Sequence, residues 1–292
     1  MKILVLQIED RNDPLLNKFM KSNEIICKNN DMEYIFLKKS AELVPPYWAK
    51  VFEIKKIMEE KKDFDYILWV DSDAFFINFT KQRFSEFLEK YKEYSFIGTP
   101  DMPPWTGQFN AGVFIIKNTE IGKEMVNKWI TYYHTNVWNY NKKTDKWKTD
   151  AVWAGDEYEQ GSFSTYMLKD SKFSKHIKII PYYYLNNHTC GDHQEDTLLV
   201  HLAGNYKKDQ KNVDTCIPKL TTSKTSTTTQ DNIIEKFENF QESKSVKILS
   251  TILYILIIIF IILLIIIIYT KCSSSKSQIS KISKISKNTI KK

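Results

Sequence analysis

The amino-acid sequence predicts an α/β fold, a mostly parallel sheet flanked by helices, with a transmembrane helix near its carboxyl end. Three features lead there. Short apolar, partly β-branched runs alternate with segments of helical period, the pattern of a parallel sheet covered on both faces. One such run, Tyr66-Ile-Leu-Trp-Val70, ends on two carboxylates one residue apart, Asp71 and Asp73. Far beyond it, residues 248–269 contain no charge, proline or glycine.

Taken in order, residues 3–7 read as a buried strand, 14–27 as a helix and 34–37 as a second strand. Pro45-Pro46 stops the chain, after which Val51, Ile54, Ile57 and Met58 give residues 48–60 a helical period. The strand that ends at Asp71 comes next. Thr80 is a fitting N-cap for a helix through residue 91. Residues 95–98 and 110–116 read as strands and 120–133 as a helix. A polar, tryptophan-rich loop runs to Gly155, then a helix over 157–168 and strands at 177–180 and 198–201. The folded domain is therefore expected to occupy residues 1–205. Residues 206–231, rich in Lys, Thr and Ser, read as a flexible linker that extends to 247, with a short amphipathic piece at 233–240.

As a helix, the uncharged stretch of 22 residues spans about 33 Å, enough for the hydrocarbon core of a bilayer. A buried helix of a soluble domain would show a polar face and this one shows none, so a lipid bilayer is an expected partner. Residues 270–292 form a basic, disordered tail of Ser-Lys-Ile repeats. Its seven lysines account for the whole formal charge of +7, because the other 35 basic residues balance 35 acidic ones. The basic excess thus gives no reason to expect nucleic acid and points to anionic lipid. Cys27, Cys190, Cys216 and Cys272 are too few and too scattered for a disulfide framework, and no two form a close metal-binding pair. The opening Met1-Lys-Ile-Leu-Val-Leu-Gln run is too short for a secretory signal. Orientation is pulled two ways. Lacking an export signal, the domain would stay cytosolic and tail-anchored, whereas lysines beyond the apolar segment favour the reverse. The cytosolic placement is the expectation, with an endomembrane or a viral membrane as the other settings. Sequons at Asn78 and Asn187 do not decide it.

An Asp-x-Asp arises by chance about once in a chain this long, and a solvated turn is its plain alternative. Its context decides. At the carboxyl end of a buried strand, where open α/β sheets hold ligands, carboxylates two residues apart can face one hard cation. His201, at the end of the last strand, adds a nitrogen ligand. A mixed oxygen and nitrogen set suits manganese, with magnesium as the alternative, better than zinc. On its own, His201 would more often be a satisfied core or turn residue. Gly204 lets backbone approach a phosphate and Lys207 supplies a point charge. Asp156 and Glu157 are ordinary residues for a helix start, while Glu159 and Gln160 pair an acid with an amide, a combination suited to sugar hydroxyls. Asp101 and Asn110 flank a loop, residues 102–109, able to close over the same site. Trp129, Trp138, Trp147 and Trp153 offer faces for an acceptor sugar, although core packing explains Trp129 better.

In that order, Asp71-Ser-Asp73, Phe109-Asn110-Ala-Gly112-Val-Phe, Glu159-Gln160 and His201-x-x-Gly204-x-x-Lys207 resemble the motifs of retaining glycosyltransferases of the GT-A (nucleotide-diphospho-sugar transferase) fold. The likeness covers about residues 1–210. Family 8, the glycogenin-like and bacterial galactosyltransferases, is nearest in pattern. Family 34, the yeast galactosyl- and mannosyltransferase group, shares Trp48-Ala-Lys50. The resemblance implies that Asp71, Asp73 and His201 hold manganese and that Gly204 and Lys207 hold the diphosphate. It gives the nucleotide to the loop Gln7, Ile8 to Asp10, and adds Lys50 and Asn110 to the donor-binding set. Asp101, Glu159 and Gln160 would act at the transferred sugar as the catalytic group. The donor would be a UDP-hexose or GDP-mannose and the acceptor a glycan or protein hydroxyl. Glu159-Gln160 stands where family 8 often has Asp-Gln, Lys207-Lys-Asp where it ends in Lys-Pro-Trp, and Asn205 where family 34 has Cys. Donor and subfamily therefore stay open. Two other functions compete: a metal-dependent nucleotide-sugar phosphohydrolase, which usually needs a denser acidic cluster, and a non-catalytic membrane-anchored sugar-nucleotide binder.

Overall fold

The computed structural model describes residues 1–191 and 195–221; the amphipathic piece, membrane helix and basic tail expected from the sequence lie outside the described residues. Along the chain come β1 (Ile3–Ile8), α1 (Pro14–Asn29), β2 (Glu33–Leu37), α2 (Pro46–Glu60), β3 (Tyr66–Val70), β4 (Ala74–Phe76), α3 (Lys81–Lys90) and β5 (Phe96–Thr99). They are followed by β6 (Asn110–Lys117), α4 (Glu120–Ile130), β7 (Asn139–Asn141), β8 (Lys146–Lys148), α5 (Glu159–Thr165), β9 (Ile177–Ile179), β10 (Leu199–His201) and α6 (Gln210–Thr221). Among the described residues no helix is long and apolar enough to cross a membrane.

Six strands form the central sheet in the order β2-β1-β3-β6-β5-β9. All run in one direction except β6, which is antiparallel to both β3 and β5. The expected mostly parallel sheet is present, with one reversed strand at its centre. Successive side chains of a strand leave on opposite faces. Leu4, Leu6, Ile67, Trp69, Phe114 and Ile116 meet Trp48, Val51 and Ile54 of α2 and Trp129 of α4 in one core. Ile3, Val5, Leu68, Val70, Val113 and Ile115 meet Ile26 of α1 and Phe84 and Leu88 of α3 in the other. β3 is buried along its whole length, which is why its sequence reads as a continuous apolar run instead of alternating. Local chemistry starts the helices. Asp13 accepts from the N–H groups of Leu15 and Leu16 with Pro14 in the first turn, Thr80 caps α3 through Arg83, and Thr119 caps α4 through Gly122.

The segment after β3 builds the site. The chain turns at once, the Ala74 N–H bonding back to the Asp71 carbonyl at 2.9 Å, and β4 leaves the main sheet to pair antiparallel with β10. That register sets His201 opposite Ala74.

Two expectations are corrected by the fold. The loop after α4 is not featureless, because β7 and β8 pair as a hairpin. The domain does not end at residue 205. Val213, Cys216, Ile217 and Leu220 of α6 pack with Leu16, Phe19, Phe75 and Val200 in a third core, so residues 206–221 belong to the domain instead of the linker. Cys190 and Cys216 form one disulfide across 26 residues, a single cross-link and not a framework. A cross-link of that loop length contributes about 3.5 kcal/mol in the chain-entropy account. Cys190→Ser is expected to lower the domain's thermal midpoint by about 10 °C, read by scanning calorimetry beside the wild type.

Candidate active site

Asp71, Asp73 and His201 converge at the carboxyl end of β3, with one ligand atom of each within 4.8 Å of the others. The two acids meet through a tight turn, not through the extended strand that their spacing suggested, and Ser72 between them donates its hydroxyl to Glu9. His201 Nε2 stands 3.1 Å from Asp73 Oδ1 and 4.0 Å from Asp71 Oδ2. The imidazole reaches this position because residue 112 is glycine: a Cβ there would lie 2.0 Å from His201 Cε1. Asn186 orients the ring. Its Nδ2 donates to the Pro100 carbonyl at 3.2 Å, leaving Oδ1 to accept from His201 Nδ1–H at 2.7 Å. With Nδ1 committed as a donor, Nε2 can exchange a proton for a cation. Two carboxylates and an imidazole make a donor set for manganese or magnesium, so these residues fit a hard divalent ion.

Asn186 escaped the sequence reading, since nothing marks an asparagine fifteen positions before a histidine. Asn186→Ala is expected to weaken manganese binding tenfold to a hundredfold, measured by electron paramagnetic resonance of free manganese in nucleotide-free protein.

Burial opposes ionisation of Asp73, yet the charges and hydrogen bonds of His201 and Lys207 prevail and hold its carboxyl far below the usual carboxylate range. Lys207 Nζ lies 2.5 Å from Asp73 Oδ2. Gly204 lies in the left-handed region at φ 58°, with open space where a Cβ would stand. His188 packs edge-on to His201 with ring centroids 5.9 Å apart, and neither of its nitrogens has a hydrogen-bond partner among the described residues. Burial and the His201 charge push its pKa down to about 3, so it stays neutral beside the His201 ring.

Lys50 is buried on the second turn of α2. Its ammonium is shared by the Ala111 carbonyl at 3.0 Å, Asp71 Oδ1 at 3.1 Å and Glu159 Oε1 at 3.1 Å. Trp69 Nε1–H donates to the same Asp71 oxygen at 2.8 Å. Burial works against the charge, but Asp71 and Glu159 outweigh it and hold the ammonium above its usual range. Lys50 is thus surrounded by protein acceptors and ties Asp71 to Glu159. Burial pushes the Glu159 carboxyl up against the pull of Lys50, and Glu159 Oε2 has no hydrogen-bond partner among the described residues.

The remaining residues expected at the sugar form one network. Gln160 Oε1 accepts from the Ala111 N–H at 3.0 Å, and Gln160 Nε2 faces Asp101 Oδ2 at 3.4 Å. Asn110 Nδ2 donates to Asp101 Oδ1 at 2.6 Å, while Asn110 Oδ1 accepts from the Gly112 N–H at 2.8 Å. Burial raises the Asp101 carboxyl, with Asn110 pulling the other way.

The loop after β1 differs from expectation in detail. Gln7 is fully buried: Nε2 donates to the Asp71 carbonyl at 3.1 Å, and Oε1 accepts from Asn23 Nδ2 at 3.1 Å and the Tyr34 hydroxyl at 2.7 Å. Both of its side-chain polar atoms thus face protein partners, and it braces the turn of Asp71–Asp73 from behind. Ile8 is half-buried and Asp10 exposed. Glu9, inside the expected nucleotide loop, and Arg11, just beyond it, link this loop to the turn of Asp71–Asp73. Glu9 is buried and accepts from the Arg11 backbone and guanidinium at 2.7 Å and from Ser72.

Over residues 3–94 the chain matches the sequence profile of the galactosyl transferase GMA12/MNN10 family. It is similar to galactomannan galactosyltransferase 1 of Cyamopsis tetragonoloba, 32% identical over 128 residues covering 41% of this chain and 28% of that protein. It is also similar to probable glycosyltransferase 6 of Oryza sativa subsp. indica, 31% identical over 126 residues covering 40% of this chain and 25% of that protein. The chain therefore spans about a quarter of the length of the curated relatives it matches. Among solved structures, a glycosyltransferase involved in the glycosylation of the major capsid of PBCV-1 superposes with a TM-score of 0.56 at 15% identity, over 73% of this chain and 100% of that one. That last likeness shows the fold alone.

Proposed function

We propose that this protein is a metal-dependent glycosyltransferase that moves a sugar from a nucleotide-diphosphate sugar to an acceptor hydroxyl with retention. The observation that carries the reading is the meeting of Asp71, Asp73 and His201, with Lys207 on the same carboxylate as the histidine. These residues would hold manganese or magnesium, which when bound neutralises charge on the departing diphosphate. Lys207 has a partly exposed side chain, so its ammonium is able to swing from Asp73 to a phosphate oxygen. Lys50 keeps Asp71 aimed. Gln160 has its amide oxygen engaged by the Ala111 N–H, so it steadies the sugar and is a poor nucleophile. That favours attack by the acceptor on the face the diphosphate leaves. Glu159 Oε2, buried and unpartnered, suits a donor-sugar hydroxyl. Relatives named for galactosyl and xylosyl transfer support a hexosyl or pentosyl donor. The phosphohydrolase alternative lacks support, because Asp71, Asp73 and His201 are the one such ligand group among the described residues.

A panel of UDP- and GDP-sugars with manganese tests the function. Consumption of one donor class, stopped by chelator and faster with an acceptor, supports it. Release to water at the same rate with or without acceptor would make the protein a hydrolase, and no consumption at all would leave only a binding protein.

We also propose that the domain faces an oxidising compartment, against the cytosolic expectation. The buried Cys190–Cys216 disulfide and the lysines beyond residue 270 both support that orientation. Asn78 is exposed and Asn187 buried, so an endoglycosidase-sensitive glycan on Asn78 alone is expected in cells. A chain that stays unmodified there, with reduced cysteines, would return the domain to the cytosol.

A further inference from the structure

Trp153 is 66% exposed and its neighbour Val152 78% exposed, at the tip of the loop before α5. A turn holds them there. The Gly155 N–H bonds to the Val152 carbonyl at 2.9 Å, and Ala154 between them sits at φ 56°, a left-handed conformation unfavourable for a residue with a Cβ. A strained turn that keeps two large apolar side chains in water fits a ligand contact better than a packing role.

The indole has an aromatic wall behind it. Trp153 stands edge-on to Tyr47 and to Tyr158, with ring centroids 5.1 Å away in each case, and Tyr47 and Tyr158 are 5.0 Å apart. Trp138 closes the back of the wall, 5.0 Å from Tyr158. Trp138 and Tyr158 are buried and Tyr47 half-buried, so Trp153 is mounted on a rigid support.

The wall continues the active site. Tyr158 immediately precedes Glu159, and Tyr47 lies one turn before Lys50 on α2, while Lys50 and Glu159 are 3.1 Å apart. The Tyr47 phenol is raised by burial and by Tyr158 and Glu159, with Lys50 and Arg11 pulling it down, which puts it within the field of the site. Charge selects the occupant. Residues 149–168 carry Asp150, Asp156, Glu157 and Glu159 but no Lys or Arg, a surrounding that repels phosphate. The basic groups suited to a diphosphate, Lys207 with its neighbours, come from the segment after β10. A neutral sugar suits the wall on both counts, its C–H face against the ring and its hydroxyls toward the acids.

We infer that Trp153, Val152 and Tyr47 form a subsite for a neutral glycan acceptor, stacked on the exposed indole face. This rests on the glycosyltransferase reading and adds the acceptor's class and contact. The test uses the full chain with manganese and the nucleoside diphosphate of the donor it consumes, on an array of neutral and acidic oligosaccharides. Wild type is expected to retain neutral oligosaccharides. Trp153→Ala should lose that retention tenfold or more, and Trp153→Phe should keep it within threefold. The donor KM, measured by hydrolysis, should stay within twofold in both. Retention of the same glycans by Trp153→Ala, or no retention by a wild type that consumes donor, overturns the subsite alone. A donor KM that rises in Trp153→Ala assigns the indole to the nucleotide and overturns it as well. A wild type that consumes no nucleotide sugar removes the glycosyltransferase reading itself, and the subsite with it.

Discussion

Asp73→Ala is expected to abolish donor turnover, with a loss of at least about 10³-fold, or about 4 kcal/mol of transition-state stabilisation. In the proposed reaction Asp73 would serve both the metal and Lys207. Oδ1 faces His201 Nε2 at 3.1 Å and Oδ2 takes Lys207 Nζ at 2.5 Å, so truncation removes a proposed metal ligand and frees the lysine together. The fold should survive. The Asp73 carbonyl, which accepts from the Leu202 N–H at 2.9 Å and joins the turn to β10, is untouched by the change. Lys207 is exposed enough to find water once its partner is gone. Nucleotide-sugar consumption with manganese, beside a thermal melt, separates the two effects. Wild-type turnover in a folded variant would show that Asp73 is not at the reacting centre.

Lys50→Met is expected to have the largest effect on stability. Its cation is buried between Asp71 and Glu159, and removing one partner of such a group leaves uncompensated charge, at a cost of about 3–5 kcal/mol. The melting midpoint should fall by about 10 °C or more. Turnover should fall as well, by about 10²-fold, because Asp71 loses the contact that aims it. Adding Glu159→Gln removes the orphaned carboxylate, so the double variant should regain much of the stability and little of the activity. A single variant that melts with the wild type would mean that the triad contributes nothing to the fold. The raised ammonium sets the sign with pH. Its stabilisation is fully present below the usual lysine value of 10.5 and is lost as pH climbs through the higher folded value. Alkaline unfolding from this source should therefore begin only above pH 10.5.

Much of this was legible in the sequence, for physical reasons. The strand 66–70 announces itself because a strand buried on both faces must be apolar throughout, and Asp71 and Asp73 stand out against it. His201 is visible for the same reason, at the end of another buried strand. The pairing that brings the three together is less visible. β4 and β10 come from segments separated by more than a hundred residues, and no local propensity encodes their union. The need for Gly112 under the His201 ring, the Asn186 amide behind it and the sharing of Lys50 between two acids are likewise contacts across the fold. The family resemblance gives Gln7 to the nucleotide. Three buried partners, Asn23, Tyr34 and the Asp71 carbonyl, turn it inward instead. α6 did leave a trace: Val213, Cys216, Ile217 and Leu220 recur at helical spacing, but the Lys- and Thr-rich composition around them hid it. Cys190 and Cys216 gave no sign of pairing, since their partnership depends on where α6 docks.

Anomalous diffraction from crystals soaked in manganese and a nucleoside diphosphate addresses the metal centre without knowledge of donor or acceptor. A single peak bonded to Asp73, His201 Nε2 and Asp71, with diphosphate oxygens completing the shell and Lys207 beside them, is the expected result. A peak elsewhere, or stoichiometric manganese with none of these three side chains as ligands, would contradict the account.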